Sequence, residues 1–481
     1  MSQPTGAADA AARDLAFLSI EALGERLRRR ELSPVEITRV YLDRIAALDP
    51  TLHAFITVTG EQALTDAAAA EREIAAGQYR GPLHGVPLAL KDLFYTAGVR
   101  TTAGSRILAD FVPTADATVV AWLRAAGALS VGKTNMEEFA FGATTLNPHH
   151  GDCANPWDAA RIAGGSSGGS AAAVVAGLCA GALGSDSGGS IRQPAGLCGL
   201  VGLKPTYGRV SKYGVVPLSW SQDHVGPMTR TVRDAAILLQ TLAGHDPRDP
   251  ASSTAPVPDY LDGLDDGVRG LRLGLPRDFF FERVDPALVS ATRDAARELG
   301  GLGARVAEVP CPQAAPAGAA GAVILFTEAT AYHEEWLRTR PADYSPAVRA
   351  RLRVGAALLG TDYVKAQRAR RVVVEQTLRL FDEIDVLLTP ATAIPAPRAD
   401  EDVVHWPDGT EEDVRGATLR FTRPFNLLGL PAVVVPCGVT PSGLPLGLQI
   451  VGRPFAESTV LRVARAFEQA QPWADRRPPL S

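Results

Sequence analysis

The sequence predicts an α/β fold with helices on both faces of a sheet. Three observations carry the prediction. Short apolar runs alternate with helical patterns from residue 86 onward, further apolar runs return after residue 385, and a 481-residue chain that is 46% hydrophobic can bury one large core.

The first 80 residues carry helical patterns. Leu15, Leu18, Ile20, Leu23 and Leu27 recur at helical spacing, and Ser33-Pro34-Val35-Glu36 reads as a capping box with Pro at the first helical position, opening a helix over 34–48. Segment 1–80 is expected to form a helical layer packed on the rest of the chain. Over 81–246 the period changes: 86–90, 129–132, 181–185 and 200–203 read as buried strands, separated by helices over 117–126, 169–176 and 232–243. Residues 247–415 are rich in Pro and Arg and mostly helical after a strand at 271–275, with a long helical pattern over 363–384. They are expected to be an insertion covering one sheet. Strands then return at 385–388, 432–436 and 446–451, segment 416–481 rejoins the sheet, and 457–470 closes as an amphipathic helix. All four segments are expected to form one structural domain.

Composition excludes several functions. With 48 basic against 53 acidic side chains, a net charge of −5 and no basic cluster denser than residues 28–30, the chain lacks a footprint for a polyanion, and no direct nucleic-acid partner is expected. The longest nearly apolar run, 171–184, has 14 residues, short of the roughly 18 to 20 that cross a bilayer. The N-terminus lacks a basic stretch followed by an apolar one, so no secretory signal and no membrane are expected, and a cytoplasmic location fits. Five separated cysteines without C-x-x-C and eight histidines without H-E-x-x-H predict buried thiols and no metal. Only five basic residues are Lys (Lys91, Lys133, Lys204, Lys212, Lys365), and four of these lie between 91 and 212. In a chain so biased to Arg, a retained Lys points to a place where a deprotonatable amine matters.

Three signature matches are weak. Gly127-x4-Gly132-Lys133-Thr134 fits a phosphate-binding loop, but the predicted helix precedes it and the strand comes after, the reverse of what that loop needs. Gly164-x-Ser166-x-Gly168 fits a nucleophile elbow, yet His224, His245, His333 and His405 have no telling context. Ser185-Asp186-Ser187-Gly188-Gly189 has the look of a serine protease string without an upstream His or an all-β pattern. The strong signal is density: residues 164–190 hold nine Gly, six Ser and one charged residue, Asp186, around the apolar run 171–184. Gly-Ser loops fixed at the ends of a helix and a strand gather hydroxyls and backbone N–H groups, which acyl transfer requires. With no suitable His, the candidate base is Lys91, ending the apolar run Val86-Pro87-Leu88-Ala89-Leu90, where desolvation favours the neutral amine. The alternative for Lys91 is a strand-end salt bridge with Asp92.

The string Gly164-Gly165-Ser166-Ser167-Gly168-Gly169-Ser170, followed by Gly184-Ser185-Asp186-Ser187-Gly188-Gly189-Ser190-Ile191-Arg192-Gln193-Pro194-Ala195, closely resembles the amidase signature family. The similarity runs over 81–231 and resumes through Thr422-Arg423-Pro424-Phe425-Asn426 to the C-terminal helix. The resemblance implies an α/β/α sandwich around a large mixed β-sheet and a Ser-cisSer-Lys triad: Ser190 as nucleophile, Ser166 as the bridging serine after a cis peptide bond, and Lys91 as base. It implies an oxyanion hole from the N–H groups of Ser187, Gly188, Gly189 and Ser190, supported by Ser167, Asp186 and Arg192. Met136, Phe139, Phe141 and Leu419 are the expected substrate-binding residues, the alternative for the first three being plain core. No metal or cofactor is implied. The implied substrate is a small amide, ester or carbamate (urethane), and a homodimer is compatible.

Glutamine-dependent tRNA amidotransferases have an A subunit that shares many of these strings. It is expected to carry an Asp three residues before the Thr of Thr-x-Pro-x-Asn, a position held here by Leu419. A free-standing amidase, of aryl or aliphatic amides, and a component of such an amidotransferase therefore both remain open, the missing acid favouring the former.

Overall fold

The computed structural model describes residues 14–480. The reading of the extreme N-terminus rests mostly on residues 1–13, which lie outside the described residues. The apolar runs assemble into an 11-stranded sheet. Its strands are β1 (Phe55–Val58), β2 (Pro87–Lys91), β3 (Leu129–Thr134), β4 (Gly181–Asp186), β5 (Val201–Lys204), β6 (His224–Thr229), β7 (Arg272–Pro276), β8 (Arg305–Val309), β9 (Val386–Pro390), β10 (Ala432–Val439) and β11 (Pro445–Gly452). Across the sheet they run β1-β3-β2-β4-β6-β5-β10-β11-β9-β7-β8. β2 is parallel to β3 and β4, and β7 to β8 and β9; the other pairings are antiparallel, so the sheet is mixed.

Strand periodicity assigns the two faces. Leu88, Leu90, Leu183, Leu203 and Val433 enter one core cluster, together with apolar residues of helices Ile20–Arg28, Val232–Leu242 and Glu457–Ala470. Ala89, Val131, Ala182 and Val434 enter the other, with helices Gly168–Val175 and Arg192–Cys198. The second face is built from small residues, which lets its helices approach closely. A Cβ added to Gly202 on β5 would lie 2.6 Å from the Cβ of Ala195. Every residue of both helices is buried, so these short segments are held by packing rather than by their own propensity.

The structure departs from the sequence reading in four places. β1 lies within segment 1–80, expected to be a helical layer, and joins the edge of the sheet beside β3. β6 is not anticipated by the sequence reading, and it contains Gly226-Pro227, a pair that disfavours strand; opposite Leu183 and fully buried between β4 and β5, it is a strand because tertiary pairing overrides local preference. β8 is a mostly exposed edge strand with too little apolar alternation to be noticed. Helix Ala314–Thr339 is long and apolar enough to cross a membrane by length and composition, which measuring the longest nearly apolar run, 171–184, does not reveal. It packs against helices Pro346–Ala357, Gly360–Glu383 and Arg423–Leu427. It also buries Glu328, which accepts from Ser219 Oγ at 2.6 Å.

Candidate active site

β2 and β4 are parallel neighbours ending at Lys91 and Asp186, and a crevice for chemistry forms beyond such carboxyl ends. The two glycine-serine strings precede helices Gly168–Val175 and Arg192–Cys198, whose starts converge on that same edge. Lys91, Ser166, Ser167, Asp186 and Arg192 are fully buried, and Ser187 and Ser190 nearly so.

Lys91 Nζ lies 2.7 Å from Ser166 Oγ and 2.8 Å from Ser185 Oγ. Burial pulls its pKa from 10.5 down to about 7, against the opposing pull of Asp186, Asp223 and Glu137. No carboxylate hydrogen-bonds it. Asp92, the partner in the salt-bridge alternative, instead accepts from Thr102 N at 2.9 Å and Thr102 Oγ1 at 2.5 Å and lies 3.6 Å from Lys133. The Gly165–Ser166 peptide bond is cis. Gln193 Oε1 accepts from Gly165 N at 2.8 Å, and Ser167 Oγ donates to Ser185 O at 3.2 Å, tying both strings together.

Asp186 organises the turn 186–192. It accepts from Gly189 N at 2.8 Å and Ile191 N at 3.2 Å, from Arg192 Nη2 at 2.9 Å and Nε at 3.0 Å, and from Asn426 Nδ2 at 2.8 Å. Despite its burial, the Arg192 guanidinium and Asn426 hold its carboxyl far below the usual carboxylate range, so it is ionised at any working pH. The Gly189 bond corrects the expected oxyanion hole: that N–H is committed to Asp186. The N–H groups of Ser187, Gly188 and Ser190 have no partner among the described residues. Gly189 itself sits at φ +136°, where a Cβ would fall 2.1 Å from Thr422 Oγ1, so only glycine fits. Replacing Asp186 by Ala strands the buried Arg192 charge. This is expected to cost about 3 to 5 kcal/mol, read as a lower urea midpoint, and an unchanged midpoint contradicts the role given to the pair.

A cavity of about 710 Å³ reaches this turn at Ser185 and Ser187. Its walls are the segment 213–218 with Tyr207, Trp220 and Ala140. Ser187 Oγ donates to Asp223 Oδ1 at 2.5 Å, and Lys212 Nζ lies 4.0 Å above the Tyr207 ring while donating to Trp220 O at 2.8 Å. None of the four expected substrate-binding residues lines this cavity. Phe139 packs on His333, Trp336 and Tyr344, and Phe141 on Phe326. Met136 is fully buried, its carbonyl accepting from Asn147 Nδ2. These three are core, the alternative that their apolar character also allowed. Leu419 lies instead against the turn, where a Cβ at Gly189 would come within 2.9 Å of its Cδ2.

Sequence reasoning missed Ser185, Asn426 and His224 as neighbours of the centre. His224 lines the cavity; its Nδ1 is 2.7 Å from Gln222 O, its Nε2 is buried without a partner, and burial keeps its pKa well below 6.5. The phosphate-loop match dissolves, because helix Thr118–Ala125 precedes Gly127 and Lys133 is buried inside β3, donating to Phe94 O and Thr101.

An α/β/α sandwich with buried lysine and serines beneath a glycine-rich turn defines a hydrolytic class of site. Residues 36–461 match the family described as Amidase, and the chain belongs to it, a hydrolase acting on carbon–nitrogen bonds. Among curated relatives, the A subunit of glutamyl-tRNA(Gln) amidotransferase from Thermosynechococcus vestitus is 44% identical, covering 96% of this chain and 99% of its own. Among solved structures, a bacterial aryl acylamidase of the amidase signature family is 31% identical with a TM-score of 0.89, covering 96% of this chain and 99% of its own. The peptide amidase of Stenotrophomonas maltophilia is 35% identical with a TM-score of 0.83, covering 96% and 98%.

Proposed function

We propose that the protein hydrolyses a small amide by itself, through an acyl-enzyme on Ser190 with Ser166 and Lys91 as the proton relay. The observation that carries this reading is a buried amine, pulled down to a pKa of about 7, at 2.7 Å from Ser166 Oγ. Neutral Lys91 takes the Ser166 proton as Ser166 takes that of Ser190, and Ser190 Oγ attacks the carbonyl carbon. The N–H groups of Ser187, Gly188 and Ser190 hold the developing oxyanion. The relay then returns its proton to the leaving nitrogen, the C–N bond breaks, and water releases the acid by the same route in reverse. The cavity walls Tyr207, Val216, Leu218 and Trp220 support an apolar group on one side of the scissile bond.

The second reading, a glutaminase-type A subunit of a tRNA-dependent amidotransferase, has the stronger support from overall similarity, since the curated relative above is such a protein over nearly the whole chain. Leu419 supports the first, because an apolar side chain against the turn offers nothing to a free amino group. Purification decides between them. Turnover of anilide, aliphatic amide, ester or carbamate substrates by the isolated chain supports the first reading; glutaminase activity appearing only with co-expressed partner subunits supports the second. On the first reading, Leu419→Asp shifts preference toward substrates bearing a free amino group, and an unchanged substrate profile removes Leu419 from the pocket.

A further inference from the structure

The antiparallel pairing of β4 with β6 ends at Asp186 opposite His224. One residue beyond each end lie Ser187, entering the turn, and Asp223, entering β6. Their side chains meet, Ser187 Oγ donating to Asp223 Oδ1 at 2.5 Å. Asp223 also accepts from Leu218 N at 2.9 Å and from Ser219 N at 3.0 Å. Gln222 N and Asp223 N both donate back to Ser219 O at 2.8 Å. One carboxylate therefore closes the loop 218–223, part of the cavity wall, and clasps it to the turn. From outside, Glu328 on helix Ala314–Thr339 holds the same loop through Ser219 Oγ at 2.6 Å.

The turn needs this second support. Asp186 accepts from the N–H groups of Gly189 and Ile191, so it fixes the later residues of the turn. Of the earlier two, Gly188 is held at its carbonyl by Thr422 Oγ1 at 2.8 Å, and Ser187 is held at its side chain by Asp223. A misplacement of about 1 Å at a catalytic centre costs about a hundredfold in rate, and adjacent glycines do not hold their own direction. Burial pushes the Asp223 carboxyl above its usual range, opposed by the bonds from Ser187, Leu218 and Ser219 and by the charge of Lys212. Three donors converging on one carboxyl suit its ionised form. The charge of Asp223 also reaches the base. Asp186, Asp223 and Glu137 are the acids that oppose the fall of the Lys91 pKa on burial.

We infer that Asp223 is a positioning residue for the proposed reaction: through the Ser187 hydroxyl it aims the Ser187 and Gly188 N–H groups at the developing oxyanion, and it locks the cavity loop 218–223 to the same turn. The inference rests on the acyl-enzyme reading above. It divides the turn between two carboxylates, Asp186 fixing the later residues and Asp223 the first.

The test follows carbamoylation of the protein by 4-nitrophenyl butylcarbamate, read as nitrophenol release and located by peptide mapping. Ser187→Ala is expected to lower the maximal carbamoylation rate by about ten- to a hundredfold, what a hydrogen bond to a charged group is worth, with the half-saturating concentration little changed. Ser187→Thr, which keeps the hydroxyl, restores most of the rate. Asp223→Asn loses at least as much as Ser187→Ala, and combining the two costs little more, because both act through one bond. Asp223→Asn also moves the acid limb of the rate to lower pH, since Lys91 loses one of the acids that favour its ammonium; Ser187→Ala leaves the limb in place. Wild-type rates in Ser187→Ala and Asp223→Asn, even with a lower urea midpoint, show that Asp223 merely closes its loop and overturn the inference. Losses that multiply in the double variant overturn it too. If Asp223→Asn does not fold, the rate of Ser187→Ala decides alone. Wild-type protein that is unlabelled, or labelled away from Ser190, overturns the acyl-enzyme reading instead, so the two failures are distinguishable.

Discussion

Replacing Ser190 by Ala removes turnover, by on the order of 10⁴-fold or more, while the protein stays folded with a near-native urea midpoint. The expectation comes from where Ser190 sits: in the turn between Asp186 and helix Arg192–Cys198, held by backbone bonds to Asp186 that do not involve its own side chain. Losing one hydroxyl leaves Asp186, Arg192 and Asn426 as they are. Substantial activity in folded Ser190→Ala would transfer the nucleophile's role to another hydroxyl, with Ser166 the first to examine.

Lys91 separates a fixed charge from a base. Arg cannot become neutral in a protein, so Lys91→Arg is expected to lose about 10²- to 10⁴-fold in kcat/KM, the range a general base contributes. The direction of the pH dependence comes from the lowered pKa. Because burial brings Lys91 down to about 7, it is the amine above that pH and the ammonium below it. Activity therefore falls as pH drops through about 7, giving an acid limb on kcat/KM. The limb cannot belong to Asp186, whose carboxyl is held ionised far below this range, nor to His224, kept neutral well below 6.5. An Lys91→Arg protein that keeps its activity with an unchanged pH profile would remove Lys91 as proton acceptor.

Lys91, Ser166 and Ser190 could be picked out of the sequence because their signals are local. A lysine closing an apolar run and serines fixed among glycines are readable within a few residues, and β2 and β4 follow from apolar runs of strand length. What could not be read depends on contacts across the chain. Asn426 and Gln449 complete the Arg192 network from more than 230 residues away; Asn426 stands in a string that resembles the family, but nothing local pairs either residue with Arg192. Phe139 and Phe141 sit close in sequence to Met136 and look like pocket aromatics, yet helix Ala314–Thr339 covers them and makes them core. The cavity wall comes from 207–220, a Pro-, Gly- and aromatic-containing stretch whose partial exposure becomes meaningful only once it is seen to border Ser185 and Ser187.

The central claim, an acyl-enzyme on Ser190, is tested most directly by trapping it. The protein is mixed with a slowly deacylating 4-nitrophenyl carbamate, and the adduct is located by intact-mass measurement followed by peptide mapping. One carbamoyl group per chain on the peptide containing Ser190, absent from Ser190→Ala and formed much more slowly by Lys91→Arg, is the predicted result. An adduct on Ser166 or another residue in the wild type, or undiminished labelling of Ser190→Ala, would contradict it.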